Sequence, residues 1–363
     1  MSKKIGIILG TRPEIIKLSS IIRYCNVNKL NYFIIHTNQH YSENMDTIFF
    51  NELNLPKPKY NLEVGSGTHG KMSGKMIIEI EKILLKEKPE IILIQGDTNT
   101  VMSAAVVAAK INIKIGHVEA GLRSYDRTMP EELNRIITDQ ISDYLFCPTK
   151  KQMNILLKEG VKRSKIFITG NTIVDAVKQC EKMADKKSFI LKKINITTNN
   201  FILLTIHRPA TTDNKKNLNA VIKGVQAIAQ KNNQKIIFPT HPRTKKMIKQ
   251  FKIKIPKEFI LIEPIGYIDM LKLQKESFLI FTDSGGIQEE SCILKKKCVT
   301  LRENTERPET ITVGGCVLAG NTNSKNIIKV TEKIINKKIN WKNPFGDGKS
   351  GEKIIKIMLA KIK

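Results

Sequence analysis

Hydrophobic residues fall along this 363-residue chain in short runs that polar residues rarely interrupt. Glycine, proline, asparagine or aspartate bounds most of these runs. Strands that are buried on both faces of a parallel sheet have this pattern. The sequence therefore predicts twelve strands, six in each half of the chain, at 4–9, 32–36, 91–95, 113–118, 144–147, 165–169, 201–206, 234–239, 258–262, 277–281, 297–301 and 315–318.

Segments with helical spacing of apolar residues lie between many of these strands. Two examples are PEIIKLSSIIRYC at 13–25 and KMSGKMIIEIEKILLKEK at 71–88. Strands that alternate with helices indicate βαβ units and an α/β fold. We therefore expect two Rossmann-like, doubly wound parallel-sheet domains that face a central cleft. Open α/β sheets bind ligands at the carboxyl ends of their strands, so the site is predicted there.

The polar, basic stretch at 185–200 separates the two halves of the chain. We expect an N-terminal domain at 1–172 and a C-terminal, ligand-binding domain at 173–346. The last helix-like segment, at about 347–363, follows a break rich in proline and glycine. This segment is expected to pack back on the first domain.

Charged residues gather after the predicted strands of the first half. Arg12 and Lys17 follow the first strand, where both can face an anion near a helix N-terminus, although a good helix start with a solvated lysine explains them equally well. Asp97 follows the third strand, and taken alone it is better explained as a helix cap. Glu119 directly follows an apolar strand, where a carboxylate costs stability unless it is paired or used. Glu131 lies at a helix start, where a glutamate can serve only the helix dipole.

The second half carries a histidine and an arginine after each of two predicted strands: His207 with Arg208, and His241 with Arg243. Between a further strand and a helix lies FTDSGGIQEE at 281–290. Its backbone N–H groups at 284–286 suit a diphosphate, and its two glycines let the diphosphate approach the backbone closely. Its last carboxylate, Glu290, suits ribose hydroxyls. A nucleotide sugar satisfies both halves of this motif.

Composition excludes several other classes of protein. Lys and Arg number 61 against 34 Asp and Glu, giving a net charge of +27. These lysines are spread over every predicted helix without an aromatic-interleaved stripe, so nucleic-acid binding is not expected. The segment GSGTHG at 65–70 fits the dinucleotide fingerprint G-x-G-x-x-G. It does not follow a predicted buried strand, which argues against NAD binding.

Scattered cysteines without ligand spacing, six in all, predict reduced thiols and no metal site. No run approaches the roughly 20 apolar residues of a membrane span, so no membrane insertion is expected. The N-terminal apolar run is too short for a secretory signal. We therefore expect a cytoplasmic protein.

Eight blocks spread over both halves carry a family resemblance: GTRPEIIKL, QGDTNT, HVEAGLRS, PEELNRIITD, GNTIVDA, THPRT, TDSGGIQEE and ENTERPE. In this order the chain resembles the non-hydrolysing UDP-N-acetylglucosamine 2-epimerases. The resemblance implies a glycosyltransferase-B type fold, no cofactor and no metal, and commonly a homodimer. It implies catalytic roles for Asp97, Glu119, Glu131 and His207. It also implies substrate binding by Arg12, Lys17, Ser284, Gly285, Gly286, Glu290 and Arg307.

The implied reaction interconverts UDP-GlcNAc and UDP-ManNAc. Because the C2 proton of the sugar is not next to a carbonyl, direct abstraction is slow. Elimination of UDP to a 2-acetamidoglucal, followed by re-addition, avoids this difficulty and needs acid–base groups and cations. Two alternatives stay open: a 2-epimerase of a modified UDP-sugar, such as a 2,3-diacetamido uronate, and a glycosyltransferase of the same fold.

Some bacterial members of the family have a second, activating UDP-GlcNAc site that uses a Gln-His stretch like Gln39–His40. The arginine expected as its partner near 65–70 is not evident in this sequence. We therefore do not expect activation of this kind.

Overall fold

The computed structural model describes residues 3–38 and 49–362, so that Gln39 and His40 lie outside the described residues. The chain divides into two compact units. Unit 1 comprises Met1–Gln179 and Phe345–Lys363, and unit 2 comprises Cys180–Pro344. The division falls inside the helix Thr172–Lys187, a few residues beyond the predicted 172/173 boundary. Part of the polar stretch at 185–200 is therefore helical, because this helix and the short helix Ile190–Lys193 extend into it.

Unit 1 is built on a parallel sheet of seven strands: β1 (Ile5–Leu9), β2 (Tyr32–His36), β3 (Tyr60–Asn61), β4 (Ile91–Gln95), β5 (Lys114–Val118), β6 (Tyr144–Cys147) and β7 (Ile166–Ile168). Their order across the sheet is β3-β2-β1-β4-β5-β6-β7. The direction of this order reverses between β1 and β4, and open sheets of this kind bind ligands at such a point. The expected count of six strands is wrong by one, because the edge strand β3 has only two residues and no apolar run.

Unit 2 has a second parallel sheet of six strands: β8 (Phe201–Thr205), β9 (Lys235–Pro239), β10 (Phe259–Ile262), β11 (Leu279–Thr282), β12 (Cys298–Thr300) and β13 (Cys316–Leu318). Their order across the sheet is β10-β9-β8-β11-β12-β13, and it reverses between β8 and β11. All twelve predicted strands are present, with ends that differ by at most two residues.

Helices follow most of the strands, and the continuous apolar runs of the central strands are buried. The further helices of unit 1 are Arg12–Val27, His69–Glu87, Asn99–Lys110, Pro130–Ile141, Lys150–Lys158 and Ser350–Lys361, with a 3₁₀ turn at Arg163–Lys165. Those of unit 2 are Pro209–Thr212, Lys215–Lys231, Pro242–Gln250, Tyr267–Glu276, Gly285–Ile293, Pro308–Thr312 and Ser324–Ile335.

The turn after β1 is held by Glu14, a buried residue of the first helical turn. One oxygen of its carboxyl group accepts hydrogen bonds from the amides of Gly10 and Thr11, both at 2.7 Å. The other oxygen accepts from the hydroxyl of Thr98 at 2.6 Å. Glu14 thus links the turn after β1 to the turn after β4. Burial raises the pKa of Glu14 from its usual 4.5 to about 7, although these hydrogen bonds oppose the rise.

The last helix, Ser350–Lys361, packs on the helix Arg12–Val27 of the same unit. A Cβ atom at Gly351 would lie 2.8 Å from the hydroxyl oxygen of Ser20, so this close packing requires glycine. The buried carboxylate of Asp175 accepts hydrogen bonds from the amides of Ser350 at 3.1 Å and Gly351 at 2.9 Å. Asp175 therefore caps this helix from a residue distant in sequence.

We predict that Asp175→Ala loosens the last helix. Two buried amides would lose their acceptor, which costs about 1–3 kcal/mol. Hydrogen exchange followed by mass spectrometry should show faster exchange in peptides from 350–361 and 12–27. The control Asp185→Ala removes a carboxylate whose side chain is 40% exposed and pairs with Lys272 and Lys275. Equal exchange in Asp175→Ala and wild type would contradict the capping role.

Glu14 makes the stability of unit 1 fall as the pH rises. Between about pH 4.5 and 7 the folded state keeps a proton that the unfolded state has released, so the free energy of unfolding drops by up to about 1.4 kcal/mol per pH unit. Glutamine cannot ionise, so the variant Glu14→Gln does not lose unfolding free energy in this way as the pH rises. Its stability relative to wild type, from urea unfolding followed by far-UV circular dichroism, should therefore increase from pH 5 to pH 7.5.

The control for this experiment is Glu352→Gln. A hydrogen bond from Lys356 lowers the pKa of Glu352, a residue of the last helix whose side chain is 39% exposed. A lowered pKa gives stability that is present at neutral pH and lost in acid, so this variant should show the opposite trend, and a small one. A constant difference between Glu14→Gln and wild type at all pH values would exclude the raised pKa.

Candidate active site

The carboxylate of Glu119 is buried at the end of β5 and held by three side chains. Lys17 donates to both carboxylate oxygens, at 2.6 and 2.7 Å. Gln95 donates to one oxygen, and Asn171 donates to the other at 3.3 Å. Glu119 itself has a φ of +69°, in the left-handed region that residues other than glycine seldom adopt. Strained backbone of this kind is concentrated at functional sites.

Asp97 follows β4 and forms a two-pronged ion pair with Arg135. The Nε and Nη2 atoms of Arg135 lie 2.9 and 2.6 Å from one oxygen of the Asp97 carboxylate. The side chain of Asp97 is 28% exposed, so solvent or a ligand can reach it. Asn134 donates to the backbone carbonyl of Asp97 at 2.9 Å. Asp97 therefore does more than start a helix, because Thr98 provides the side-chain cap of Asn99–Lys110.

The two adjacent glutamates at the start of Pro130–Ile141 have different environments. Glu131 is exposed to solvent, whereas Glu132 is buried. The Glu132 carboxylate accepts from the amides of Ser124 and Tyr125, both at 2.9 Å, and from Arg135 at 2.7 Å. Glu132 is thus the residue that anchors the preceding loop, and Glu131 is left available to solvent.

Both basic residues after β1 have partners. The guanidinium of Arg12 stacks over the ring of Phe49, with its central carbon 4.5 Å from the ring centroid. Lys17 is buried against Glu119, so the interpretation of this lysine as a solvated helix residue is wrong. In unit 1, therefore, Asp97 and Glu119 lie just after the ends of β4 and β5, and Lys17 lies in the helix that follows β1.

In unit 2 the buried carboxylate of Asp283 holds His207 at the end of β8. It accepts from the amides of His207 and Arg208 at 3.0 and 2.9 Å, and Nδ1 of His207 lies 3.1 Å away. Burial alone would raise the pKa of Asp283, but the contacts with His207 and Arg208 lower it below its usual value. The ring of His207 is 46% exposed. Because Nδ1 faces Asp283, Nε2 is the nitrogen that can exchange a proton with a ligand.

The turn after β11 begins the helix Gly285–Ile293, with Ser284 at the N-cap. Among the described residues, a Cβ atom on Gly285 would meet no atom within 4 Å apart from its chain neighbours and its own helix backbone, and one on Gly286 would meet only the Ser284 hydroxyl, at 3.8 Å. Packing therefore does not require either glycine. Open space above backbone amides at a helix N-terminus is what an anion site needs.

Two further predicted residues lie on or near this helix and are buried. Glu290 accepts a hydrogen bond from Gln274 at 2.6 Å. Arg307 lies with Nε 2.7 Å from the carboxylate of Glu289. Gln288 connects the helix to the loop of Arg307, since it accepts from Thr305 at 2.8 Å and donates to Thr310 at 2.6 Å. The loop and the helix therefore form one rigid support within unit 2.

Sequence reasoning missed several residues that orient the predicted ones: Gln95, Asn171, Arg135, Asp283 and Glu289. Asp283 stands inside the quoted FTDSGGIQEE motif, where an acidic residue directly after an apolar strand was a usable signal. Arg135 lies inside the PEELNRIITD block, but nothing in its spacing identified Asp97 as its partner. Gln95 and Asn171 carry no local signal, because their common partner is remote in sequence.

The described residues contain neither a candidate metal cluster nor a candidate membrane span. Among them, no group of three or more His, Cys, Asp or Glu side chains is arranged to hold a metal ion. No helix within the ranges 3–38 and 49–362 is long and apolar enough to cross a membrane. The chemistry supported by the geometry is acid–base chemistry in unit 1 and anion binding in unit 2.

Comparison with known proteins identifies the family. The family model described as UDP-N-acetylglucosamine 2-epimerase matches residues 24–359. The UDP-N-acetylglucosamine 2-epimerase of Methanocaldococcus jannaschii is 56% identical over 361 residues, which cover 98% of both chains. The UDP-2,3-diacetamido-2,3-dideoxy-D-glucuronate 2-epimerase of Pseudomonas aeruginosa is 41% identical over 320 residues, covering 87% of this chain and 88% of the relative.

A solved structure agrees with this relationship. The crystal structure of the Methanocaldococcus jannaschii UDP-GlcNAc 2-epimerase in complex with UDP-GlcNAc and UDP matches with a TM-score of 0.91. The match covers 98% of this chain and 99% of that chain, at 56% identity. The two parallel-sheet domains predicted from the sequence, of glycosyltransferase-B type, are confirmed by this match and by the observed strand order. The chain therefore belongs to the UDP-N-acetylglucosamine 2-epimerase family, whose members are isomerases.

Proposed function

We propose that this protein is a UDP-N-acetylglucosamine 2-epimerase that interconverts UDP-GlcNAc and UDP-ManNAc. The observation that carries the proposal is the 56% identity, over 98% of both chains, to the Methanocaldococcus jannaschii enzyme of that name. The arrangement of charged groups at the ends of the strands is compatible with this reaction in each unit separately.

The reaction runs by elimination and re-addition. A base removes the proton from C2 while the bond from C1 to the UDP oxygen breaks, and its electrons leave with UDP. The product of this half-reaction is 2-acetamidoglucal. Return of a proton to the opposite face of C2 and re-addition of UDP at C1 give the epimer. The protein must therefore supply acid–base groups for C2 and positive charge or N–H dipoles for the departing diphosphate.

Unit 2 binds the UDP portion in this proposal. The amides of Gly285 and Gly286 and the hydroxyl of Ser284 receive the diphosphate at the helix N-terminus, whose dipole favours negative charge. The Ser284 amide itself already donates to the hydroxyl of Thr282 at 3.0 Å. Glu290 accepts from the ribose hydroxyls, and Arg307 adds a positive charge for the departing diphosphate. Because Glu289 holds the Arg307 side chain, that charge is fixed before the substrate arrives.

Unit 1 supplies the acid–base groups for the sugar. Lys17 holds the carboxylate of Glu119, which is the group that exchanges a proton with C2 of the sugar. Asp97 is the second acid–base group, and its pairing with Arg135 fixes its orientation. Glu131 keeps the catalytic role that its position in the family motif implies, and its exposure leaves it accessible. Arg12 contributes positive charge beside the turn after β1.

The proton carrier in unit 2 is His207. Its Nδ1 faces Asp283, so the proton moves at Nε2. Asp283 stabilises the charged ring that forms when Nε2 takes up a proton. This arrangement suits a group that gives a proton to, or takes one from, the departing UDP.

An unmodified N-acetyl sugar is the substrate favoured over a 2,3-diacetamido uronate. Identity to the Methanocaldococcus jannaschii enzyme is 56%, against 41% to the Pseudomonas aeruginosa enzyme that is named for the modified sugar. Turnover of the two UDP-sugars by the purified protein, side by side, separates these candidates. A glycosyltransferase would instead transfer sugar to an acceptor without forming an epimer.

We further propose a cytoplasmic homodimer that supplies UDP-ManNAc for polysaccharide biosynthesis. All six cysteines are buried thiols, which is typical of proteins from reducing compartments. Exposed apolar side chains on two helices of unit 1 offer contact area for a second copy: Ile78, Leu85, Leu133 and Ile137. The molar mass from light scattering distinguishes a dimer from a 41.2 kDa monomer.

Incubation with UDP-GlcNAc in D₂O should place deuterium at C2 of the recovered UDP-sugar, as detected by proton NMR. Asp97→Asn and Glu119→Gln should each lower this exchange by at least about a hundredfold, since each removes an acid–base group. The control Asp143→Asn changes a carboxylate of the same unit that precedes β6, at the opposite end of the strands, and pairs with Lys114. Active exchange in all three variants would contradict the assigned roles, and no exchange in wild type would contradict the function.

Gly285→Ala should weaken UDP binding without harming the fold. Because a Cβ atom there meets no protein atom, the folded state tolerates it, and alanine in a helical turn gains up to about 1 kcal/mol over glycine. The methyl group would instead occupy the space proposed for the diphosphate. We expect UDP affinity, measured by isothermal titration calorimetry, to fall at least about tenfold.

The matched control is Gly74→Ala, within the helix His69–Glu87, where a Cβ atom also meets nothing within 4 Å. It should bind UDP like wild type. Unchanged affinity in Gly285→Ala would show that the diphosphate lies elsewhere.

A further inference from the structure

The ring of His117 lies inside unit 1 with both of its nitrogens facing hydrogen-bond acceptors. His117 belongs to β5 and is only 1% exposed. Its Nε2 lies 2.8 Å from the carbonyl oxygen of Gly96, and its Nδ1 lies 2.7 Å from the carboxylate of Asp139. A carbonyl oxygen accepts hydrogen bonds and cannot donate one, so Nε2 carries a proton.

The ionisation of Asp139 decides whether Nδ1 also carries a proton. Burial alone would raise the pKa of this carboxyl group, but His117 and Arg123 bring it below its usual value. The second carboxylate oxygen accepts from Arg123 at 2.7 Å and from the amide of Gly121 at 3.1 Å. An ionised carboxylate only accepts hydrogen bonds, so Nδ1 is protonated as well.

We propose that His117 donates a hydrogen bond from each of its ring nitrogens, and that in this form it positions the turns that carry Asp97 and Glu119. Only the doubly protonated ring satisfies both acceptors. Gly96 directly precedes Asp97, and His117 lies two residues before Glu119. One ring therefore joins the end of β4 to the end of β5. Its effect on catalysis rests on the proposed epimerase activity, whereas its protonation does not.

Arg123 holds the carboxylate of Asp139 in place. It pairs with Asp139 and also donates to both oxygens of Glu159, at 2.9 and 2.6 Å. The Glu159 side chain is 30% exposed, so solvent screens its charge. Cys147 lies near Asp139 but stays a neutral thiol, because burial and Asp139 raise its pKa more than Arg163 and Arg123 lower it. Nδ1 of His117 therefore faces a carboxylate that its other partners keep as an acceptor.

The turn after β5 needs this support because its backbone is strained. Glu119 has a φ of +69° and Gly121 a φ of +81°. A Cβ atom at Gly121 would lie 2.7 Å from the carbonyl oxygen of Gln152, so the chain approaches closely there. Asp139 holds the Gly121 amide with the same carboxylate that holds the ring. The orientation of Glu119 therefore depends on the cluster of His117 and Asp139.

Nitrogen-15 NMR of histidine-labelled protein tests the protonation. The chain has six histidines, and the spectra of His117→Gln and Asp139→Asn identify the His117 signals. We expect a proton on each of the two ring nitrogens at about pH 7, because each nitrogen faces an acceptor. A ring with a single proton would overturn the proposal.

Asp139→Asn separates the charge of the ring from its position. Asparagine can direct its carbonyl oxygen to Gly121 and Arg123 and its NH₂ group to Nδ1, so the contacts remain while His117 becomes neutral. The Nδ1 proton should disappear and the Nε2 proton should stay. A ring that stays doubly protonated in this variant would contradict the assigned cause. If His117→Gln does not fold, this variant and the wild type still decide the protonation.

Kinetics test the positioning role. His117→Gln can reach at most one of the two acceptors, so we expect kcat to fall by about a hundredfold, with KM changed by less than about threefold. Asp139→Asn keeps the contacts and should lose less than about tenfold in kcat. The control His69→Gln changes an exposed histidine of unit 1. Wild-type kcat in His117→Gln, or an equal loss in Asp139→Asn, would overturn the positioning role. An inactive wild type that keeps the doubly protonated ring would contradict only the proposed function.

Discussion

The pairing of charges at the carboxyl ends of parallel strands is the constraint on which this structure depends. Parallel sheets bring these ends to one edge, and buried charge is tolerated there only when it is paired and hydrogen-bonded. Glu119 is accordingly held by Lys17, and Asp97 by Arg135. In unit 2 the same requirement joins Asp283 to the ring of His207. The ion pairs and hydrogen bonds that make these buried charges tolerable thus also orient the predicted catalytic groups.

The two units offer different chemical capacities. In unit 1 the ends of the strands gather carboxylates with cationic partners, which suits proton transfer. In unit 2 the helix that starts at Gly285 offers amides with open space above them, which suits a diphosphate. Elimination of a nucleotide from a sugar requires both capacities. The buried partners, such as Glu289 for Arg307, fix the charges before any ligand binds.

Much of the fold follows from the sequence, because a strand buried on both faces is a short, continuous apolar run bounded by turn residues. The two-residue strand Tyr60–Asn61 has no such run and was missed. For the site, position in sequence located Asp97 and Glu119 at strand ends but could not show their partners. Glu131 and Glu132 are adjacent, and only the packing of their helix shows that Glu132 is the buried one. Asp139 was also missed, since its role depends on contacts with residues distant in sequence.

Positional isotope exchange tests the central claim, departure and return of UDP, most directly. UDP-GlcNAc is prepared with oxygen-18 in the bridge between C1 and the β-phosphorus, and the recovered UDP-sugars are analysed by phosphorus-31 NMR. If the bridge breaks, the β-phosphate can rotate before re-addition, so the label should appear in non-bridging positions as the epimer accumulates. Epimer that forms with all of the label still in the bridge would contradict elimination.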